Sequence, residues 1–120
     1  MSMQFFTTSR QGDTLVAVAQ GAIGSLGPVD TRLEADCLLA EMQEEGVQKL
    51  VLDLGKAEYF GSQMIELMII AWRHLAQTHG MLALCQVSET GQEVLHAVGL
   101  DKFWPVCRTL DEALAASPLC

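Results

Sequence analysis

Apolar residues along this chain fall into short runs of strand length and longer runs with helical spacing, and the two kinds alternate. The strand-length runs cover residues 4–8, 14–20, 49–54, 81–87 and 103–107. The helical patterns cover a first helix that ends at Gly46, followed by residues 62–79, 89–98 and 110–116. The order β-β-α-β-α-β-α-β-α predicts an α/β domain with a mixed sheet of about four to five strands and about four helices, in which helices connect the strands.

Turn and capping residues mark the ends of the first elements. Residues 11–13, Gln-Gly-Asp, predict a hairpin turn between the first two strands. The first helix begins either with Pro28 as its first residue or with a capping box of Thr31 and Glu34. Both possibilities place one apolar face on this helix, formed by Leu33, Cys37, Leu38 and Met42.

Similar signals mark the later elements. Gly80 and Gly99 end the second and third helices. Thr109 and Glu112 form a capping box that opens the last helix. Pro105 lacks the N–H that a central strand needs, so the last strand is predicted at an edge of the sheet.

The second helix has more apolar residues than one buried face requires. A stripe formed by Ile65, Ile69, Trp72 and Ala76 is predicted to face the sheet. Further apolar residues lie beside it: Met64, Leu67, Met68, Ile70 and Ala71. They indicate either a deeply packed helix or a docking surface, since methionines adapt to varied partners.

Composition narrows the class of protein. The chain has 120 residues, half of them apolar, which suits one globular domain over residues 1–120. It has no stretch that is long and apolar enough to span a bilayer and no export signal, so we expect a cytoplasmic protein. Four widely spaced cysteines predict reduced thiols rather than disulfides or a metal site. The net charge of −8 leaves no basic stripe for nucleic acid and favours a protein partner.

The candidate chemistry centres on Ser62, which lies where a strand gives way to a helix. A helix N-terminus carries free N–H groups and positive partial charge, so phosphate added there would be stabilised. Ser62 is therefore either a phosphoacceptor or a plain N-cap worth about 1 kcal/mol. Asp53 near the strand exit is expected to form structural hydrogen bonds, and the three histidines lack metal-ligand spacing. No G-x-S-x-G motif supports hydrolase chemistry.

Several segments together resemble the STAS domain of bacterial anti-sigma factor antagonists. They are the strand at residues 51–54, the serine that opens the next helix, the strand at residues 82–85 and the segment 94–106, which contains Gly99-Leu100 followed by Phe103 and Pro105-Val106. The resemblance covers nearly the whole chain. The family pattern at the switch is Asp-Ser-x-Gly-Leu, and the matching residues 61–65 of this chain are Gly-Ser-Gln-Met-Ile.

The resemblance implies a regulatory protein that is not an enzyme and needs no cofactor or metal. It implies that the unmodified chain binds an anti-sigma factor kinase and thereby frees a sigma factor. It also implies that the kinase phosphorylates Ser62, which weakens this binding. The partner surface predicted in this way comprises Gly24, Ser25, Tyr59, Phe60, Gly61, Ser62, Gln63, Met64, Leu67 and Met68.

Two alternatives stay open at the level of sequence. The first is an interaction module without phosphorylation, which assembles with similar or partner domains through the second helix and can form a homo-oligomer. The second is a sensor of a small ligand or anion, because helices that start beside strand exits can bind anions. The chain offers neither a G-x-G-x-x-G run nor a phosphate-loop lysine for that role.

Overall fold

A computed structural model describes residues 6–20, 28–44, 46–56 and 62–116; for residues 28–31, 44, 62 and 63 it describes the backbone alone. The strands are β1 (Phe6–Gln11), β2 (Thr14–Ala19), β3 (Lys49–Asp53), β4 (Met81–Cys85) and β5 (Val106–Cys107). The helices are α1 (Pro28–Glu44), α2 (Ser62–Ala76), α3 (Glu89–Val98) and α4 (Leu110–Ala115), with a 3₁₀ helix at Leu100–Lys102.

The five strands form one mixed sheet in the order β1-β2-β3-β4-β5. β1 and β2 are an antiparallel hairpin, and β2 to β5 run parallel to one another. α1, α2 and α3 are the crossover connections between successive parallel strands. The predicted α/β fold is confirmed. Within the described residues, no helix combines the length and apolar character needed to cross a membrane.

Each face of the sheet has its own apolar core. Leu50, Leu52, Leu82 and Leu84 point to the larger core, which is covered by α1, α2 and α3. The opposite face carries Val16, Val51, Ala83 and Cys85 and is covered by Ala113 and its neighbours on α4. Alternate residues of β3 and β4 therefore enter different cores, as the two-residue period of a strand requires. Val51, Leu52, Leu82 and Leu84 are each at most 1% exposed.

The first strand of the hairpin begins and ends later in the chain than predicted. β1 covers Phe6–Gln11 rather than residues 4–8, because a two-residue turn pairs Gln11 directly with Thr14. Gly12 in this turn has a φ of 63°, a backbone conformation that glycine adopts at little cost. Residues 4 and 5 of the predicted strand lie outside the described residues.

α1 begins with Pro28 as its first residue, so this alternative is confirmed over the capping box. The prediction that Leu33 faces the core is wrong, since its side chain is 41% exposed. The buried line is Ala35, Leu38 and Met42, whose spacings of three and four residues keep them on one side of the helix.

α2 is turned about its axis relative to the prediction. Its fully or almost fully buried residues are Met64, Leu67, Met68, Ala71 and Leu75. The stripe predicted to face the sheet is displaced to the flank: Ile65, Ile69 and Trp72 are half-buried and Ala76 is exposed. The physical reason is that α2 is apolar on more than one side, so helical spacing alone fits two orientations.

The ends of several elements are also corrected. α2 stops at Ala76 instead of residue 79, because the chain turns back and the Gly80 N–H donates to the Leu75 carbonyl at 2.7 Å. β4 stops at Cys85 instead of residue 87, where Gln86 adopts a φ of 56°. α4 ends at Ala115, one residue earlier than predicted.

The last strand is much shorter than predicted. The segment before it forms the 3₁₀ helix Leu100–Lys102, so β5 contains only Val106–Cys107 instead of residues 103–107. The predicted edge position is confirmed. The Pro105 carbonyl accepts a hydrogen bond from the Leu84 N–H at 2.9 Å, so this proline joins the sheet through the one backbone group that it retains.

Candidate functional site

The carboxyl ends of the parallel strands form one edge of the sheet, and α2 and α3 both begin beside it. Val18, Asp53 and Cys85 are register partners across β2, β3 and β4, and Cys85 is in turn the partner of Cys107. The residues that follow these strands therefore emerge side by side. In parallel α/β sheets this edge is the usual place for a binding site.

The turn after β3 is fixed by local hydrogen bonds. The Gly55 N–H donates to Asp53 Oδ1 at 3.0 Å, and the Leu54 N–H donates to the Cys85 carbonyl at 3.0 Å. A Cβ atom on Gly55 would meet the end of the flexible Gln86 side chain, so the turn after β3 passes close to the end of β4. The structural role predicted for Asp53 is confirmed.

Lys56 adds positive charge to this edge. Its side chain is exposed, and its Nζ donates to Gln20 Oε1 at 3.2 Å, which links the turn after β3 to the end of β2. No local sequence pattern identifies Lys56, Gln20 or Gln86 as members of the site. Each follows a strand, and only the strand register brings the three positions to one edge.

The two helix starts at this edge differ in charge. Ser88 caps α3, because its Oγ accepts a hydrogen bond from the Gly91 N–H at 3.0 Å, and Glu89 puts an acid in the first turn. Ser62 is the first residue of α2, whose first turn contains no acid. The positive end of the α2 dipole is thus left without the carboxylate that α3 has.

The predicted partner surface is divided by the structure. Gly24, Ser25, Tyr59, Phe60 and Gly61 lie outside the described residues. Ser62 and Gln63 are the first two residues of α2. Met64, Leu67 and Met68 are each 0% exposed and belong to the larger core, so the prediction that these three contribute to a docking surface is wrong. Their packing in the larger core holds the first turns of α2 against the sheet.

The face of the sheet that α4 covers carries two thiols, Cys85 and Cys107, and the buried Lys49. Burial, with smaller contributions from Asp53 and Cys107, raises the pKa of the Cys85 thiol to about 12. Burial likewise raises the pKa of Cys107 and lowers that of Lys49. Lys49 Nζ donates to the carbonyls of Leu114 and Ala116 at 2.8 and 2.9 Å, at the end of α4.

Burial disfavours the reactive form of both thiols. A raised pKa keeps both thiols protonated and therefore poor nucleophiles. On α3, His96 Nδ1 lies 2.9 Å from Asp101 Oδ2, and its partner is thus a carboxylate and not a thiol. No cluster of three potential metal ligands occurs among the described residues. The candidate site is therefore the sheet edge at the start of α2, where the sequence predicts it.

Comparison with known proteins identifies the family. The model of the STAS domain matches residues 32–113. A Bordetella bronchiseptica protein with the provisional name anti-sigma factor antagonist BtrV is 31% identical over 102 residues, which cover 85% of this chain and 84% of that protein.

Solved structures agree with this assignment. The structure of an anti-sigma-factor antagonist (STAS) domain protein from Planctomyces limnophilus matches with a TM-score of 0.79 at 31% identity, covering 92% of this chain and 95% of that one. The anti-sigma factor antagonist SpoIIAA in its unphosphorylated form has a TM-score of 0.76 at 17% identity, with 91% and 92% covered, and shares the fold. The chain therefore belongs to the STAS domain family, of the type found in anti-sigma factor antagonists.

Proposed function

We propose that this protein is an anti-sigma factor antagonist that binds an anti-sigma factor kinase, and that phosphorylation of Ser62 weakens this binding. The observation that carries the proposal is the position of Ser62 as the first residue of α2, at the carboxyl edge of the parallel strands. The names of the BtrV relative and of the Planctomyces limnophilus protein support the class of partner. The protein itself performs no chemistry in this proposal.

The electrostatics of the helix start support Ser62 as the modified residue. Phosphate adds roughly 1.5 to 2 negative charges at neutral pH. The positive end of the α2 dipole, which has no acid in its first turn, stabilises that charge, and the exposed Lys56 adds positive charge after β3. Phosphate on Ser62 is thus compatible with the fold. It changes the binding of a partner protein that contacts the start of α2.

The contact surface in this proposal leaves out Met64, Leu67 and Met68, which the sequence analysis included. It comprises residues 55–61, the first two residues of α2 at Ser62 and Gln63, and the segment that contains Gly24 and Ser25. The fully buried Met64 serves as support and not as contact. A charge introduced at Met64 would disrupt the core, so the test has to use Ser62 itself.

The proposal is tested with the kinase that co-purifies with the tagged protein from its native cells, purified and mixed with ATP. Ser62→Ala should bind this kinase at least as tightly as the unchanged protein and should accept no phosphate. Ser62→Asp should bind about tenfold more weakly, a loss of about 1.4 kcal/mol, because it places a charge without a partner in the contact and that charge must lose its hydration on binding. Calorimetry measures binding, and the mass of the peptide that contains Ser62 reports phosphate.

Ser88→Asp is the matched control. It adds the same charge at the start of α3 on the same sheet edge, and aspartate preserves the N-cap. Binding by Ser88→Asp should stay close to that of the unchanged protein. Equal weakening by both aspartates would indicate a general charge effect and would contradict a contact at Ser62. Weakening by Ser62→Asp alone, with no phosphate ever found on Ser62, would instead support the interaction module without phosphorylation.

A further inference from the structure

We infer that the outer face of α2 pairs with the same face of a second copy of this chain, in an antiparallel arrangement with a two-fold axis between Ile69 and Ile70. This outer face is defined by Glu66, Ile69, Ile70 and Arg73. Glu66 and Arg73 are exposed, while both isoleucines are half-buried. The pairing involves the middle of α2, so it stands apart from the proposed role of Ser62.

The geometry of α2 places these four residues together. Glu66 and Arg73 are seven residues apart, so they lie on the same side of the helix and about 10 Å apart along its axis. Ile69 and Ile70 lie between them and flank that line on its two sides. The face thus has an acid at one end, a base at the other and apolar residues at its centre.

This arrangement is complementary to itself. The midpoint between positions 66 and 73 falls between Ile69 and Ile70. A two-fold axis at that point brings Glu66 opposite the second copy's Arg73, and Arg73 opposite the second copy's Glu66, with isoleucines in contact between the pairs. Neither charged side chain forms an ion pair with any other residue that the structure describes, so both are available for such a contact.

An exposed aromatic ring lies beside the same face. Phe103 is 54% exposed and packs on Trp72, with ring centroids 5.3 Å apart. Because Trp72 is close to the midpoint of α2, the axis that pairs the two helices also brings Phe103 near its counterpart. When a two-fold axis relates two antiparallel helices, the flank of α2 that carries Trp72 lies on the same side of the pair in both copies. The pairing would therefore cover one of the largest exposed apolar side chains in the described part of the chain.

The overall charge determines how strong the pairing can be. Two copies at −8 each repel one another, and salt at physiological ionic strength screens that repulsion beyond about 8 Å. Direct contacts between the helices then decide the outcome. One helix per subunit gives a small interface, so we expect a dimer that dissociates reversibly on dilution.

Sedimentation velocity over a concentration series tests the pairing. The unchanged protein should form dimers as its concentration rises. Glu66→Arg alone and Arg73→Glu alone should each raise the dimer dissociation constant about tenfold or more, since each turns two attractive contacts into two repulsive ones. The double variant Glu66→Arg/Arg73→Glu restores both contacts in reverse and should dimerise like the unchanged protein.

A charge exchange on α1 is the matched control. Arg32 and Asp36 are exposed, lie on α1 outside the proposed face, and form a helical pair at 3.8 Å. Arg32→Asp/Asp36→Arg should leave dimerisation unchanged. The proposal is overturned if the unchanged protein stays monomeric at every concentration, or if the double variant dimerises no better than the two single variants. Rescue by the double variant also shows that the single variants had not simply misfolded.

Discussion

The buried thiol of Cys85 should make the protein less stable at alkaline pH. Cys85 is the last residue of β4 and is 0% exposed in the core beneath α4. Its pKa is raised from 9.0 to about 12, chiefly because burial disfavours the thiolate. In the unfolded chain the thiol is exposed and loses its proton near the ordinary value. Between these two values the unfolded state therefore binds fewer protons than the folded state, and the free energy of unfolding falls as pH rises.

The size of the effect follows from the width of that window. Each pH unit inside it changes the free energy of unfolding by about 1.4 kcal/mol per titrating group. Below 9.0 the thiol is protonated in both states and contributes no pH dependence. We therefore expect Cys85 to lower the free energy of unfolding by about 1.4 kcal/mol between near pH 8 and about pH 10. Urea unfolding followed by circular dichroism measures this quantity.

Cys85→Ala isolates the contribution of this thiol. The variant loses packing around the missing sulfur, but that loss is the same at both pH values. The difference in free energy of unfolding between the unchanged protein and Cys85→Ala should thus shrink by about 1.4 kcal/mol at the higher pH. Cys37→Ala, on α1 and away from this core, controls for general alkaline reactions of thiols. A difference that stays constant with pH would refute the assignment of Cys85 as a buried, protonated thiol.

Three further predictions concern packing. Leu52→Ala should lower the free energy of unfolding by about 2–5 kcal/mol in urea titrations, because Leu52 is 0% exposed at the centre of the larger core. Lys49→Met should remove the two hydrogen bonds that end α4 and speed amide hydrogen exchange in α4 relative to α3. Iodide should quench Trp72 partly in a Trp104→Phe variant and should barely quench Trp104 in a Trp72→Phe variant, since Trp104 is 0% exposed.

Elements bounded by strong local signals could be predicted from the sequence. α3 covers the predicted residues and ends at Gly99, whose φ of 80° suits glycine. The Thr109 side chain accepts the predicted hydrogen bond from the Glu112 N–H at 3.2 Å. In both cases the residues that determine the boundary lie within one turn of it, so no distant contact has to be known.

Some strand ends and some residues of the candidate site depend on contacts between distant parts of the chain. These could not be predicted from local sequence. β4 ends at Cys85 although the apolar Val87 follows closely, because Gln86 adopts a φ of 56° that interrupts the strand. The parallel register of β3 and β4 brings Gln86 to the candidate site. The sequence identifies Ser62 as a candidate because a strand pattern, a few connecting residues and a helix pattern follow one another along the chain. Lys56 and Gln20 belong to different strand exits, and the parallel register alone makes them neighbours.

The orientation of α2 shows why an apolar helix is hard to place from its sequence. Two apolar lines fit the helical period: Ile65, Ile69 and Trp72 form one, and Met64, Leu67 and Met68 form the other. Charged residues usually decide between such lines, because burying an unpaired charge is costly. Glu66 and Arg73 both lie opposite the methionine line, which is the line that the structure buries. The two charges therefore favour burial of the methionine line, a signal that the spacing of the apolar residues alone does not contain.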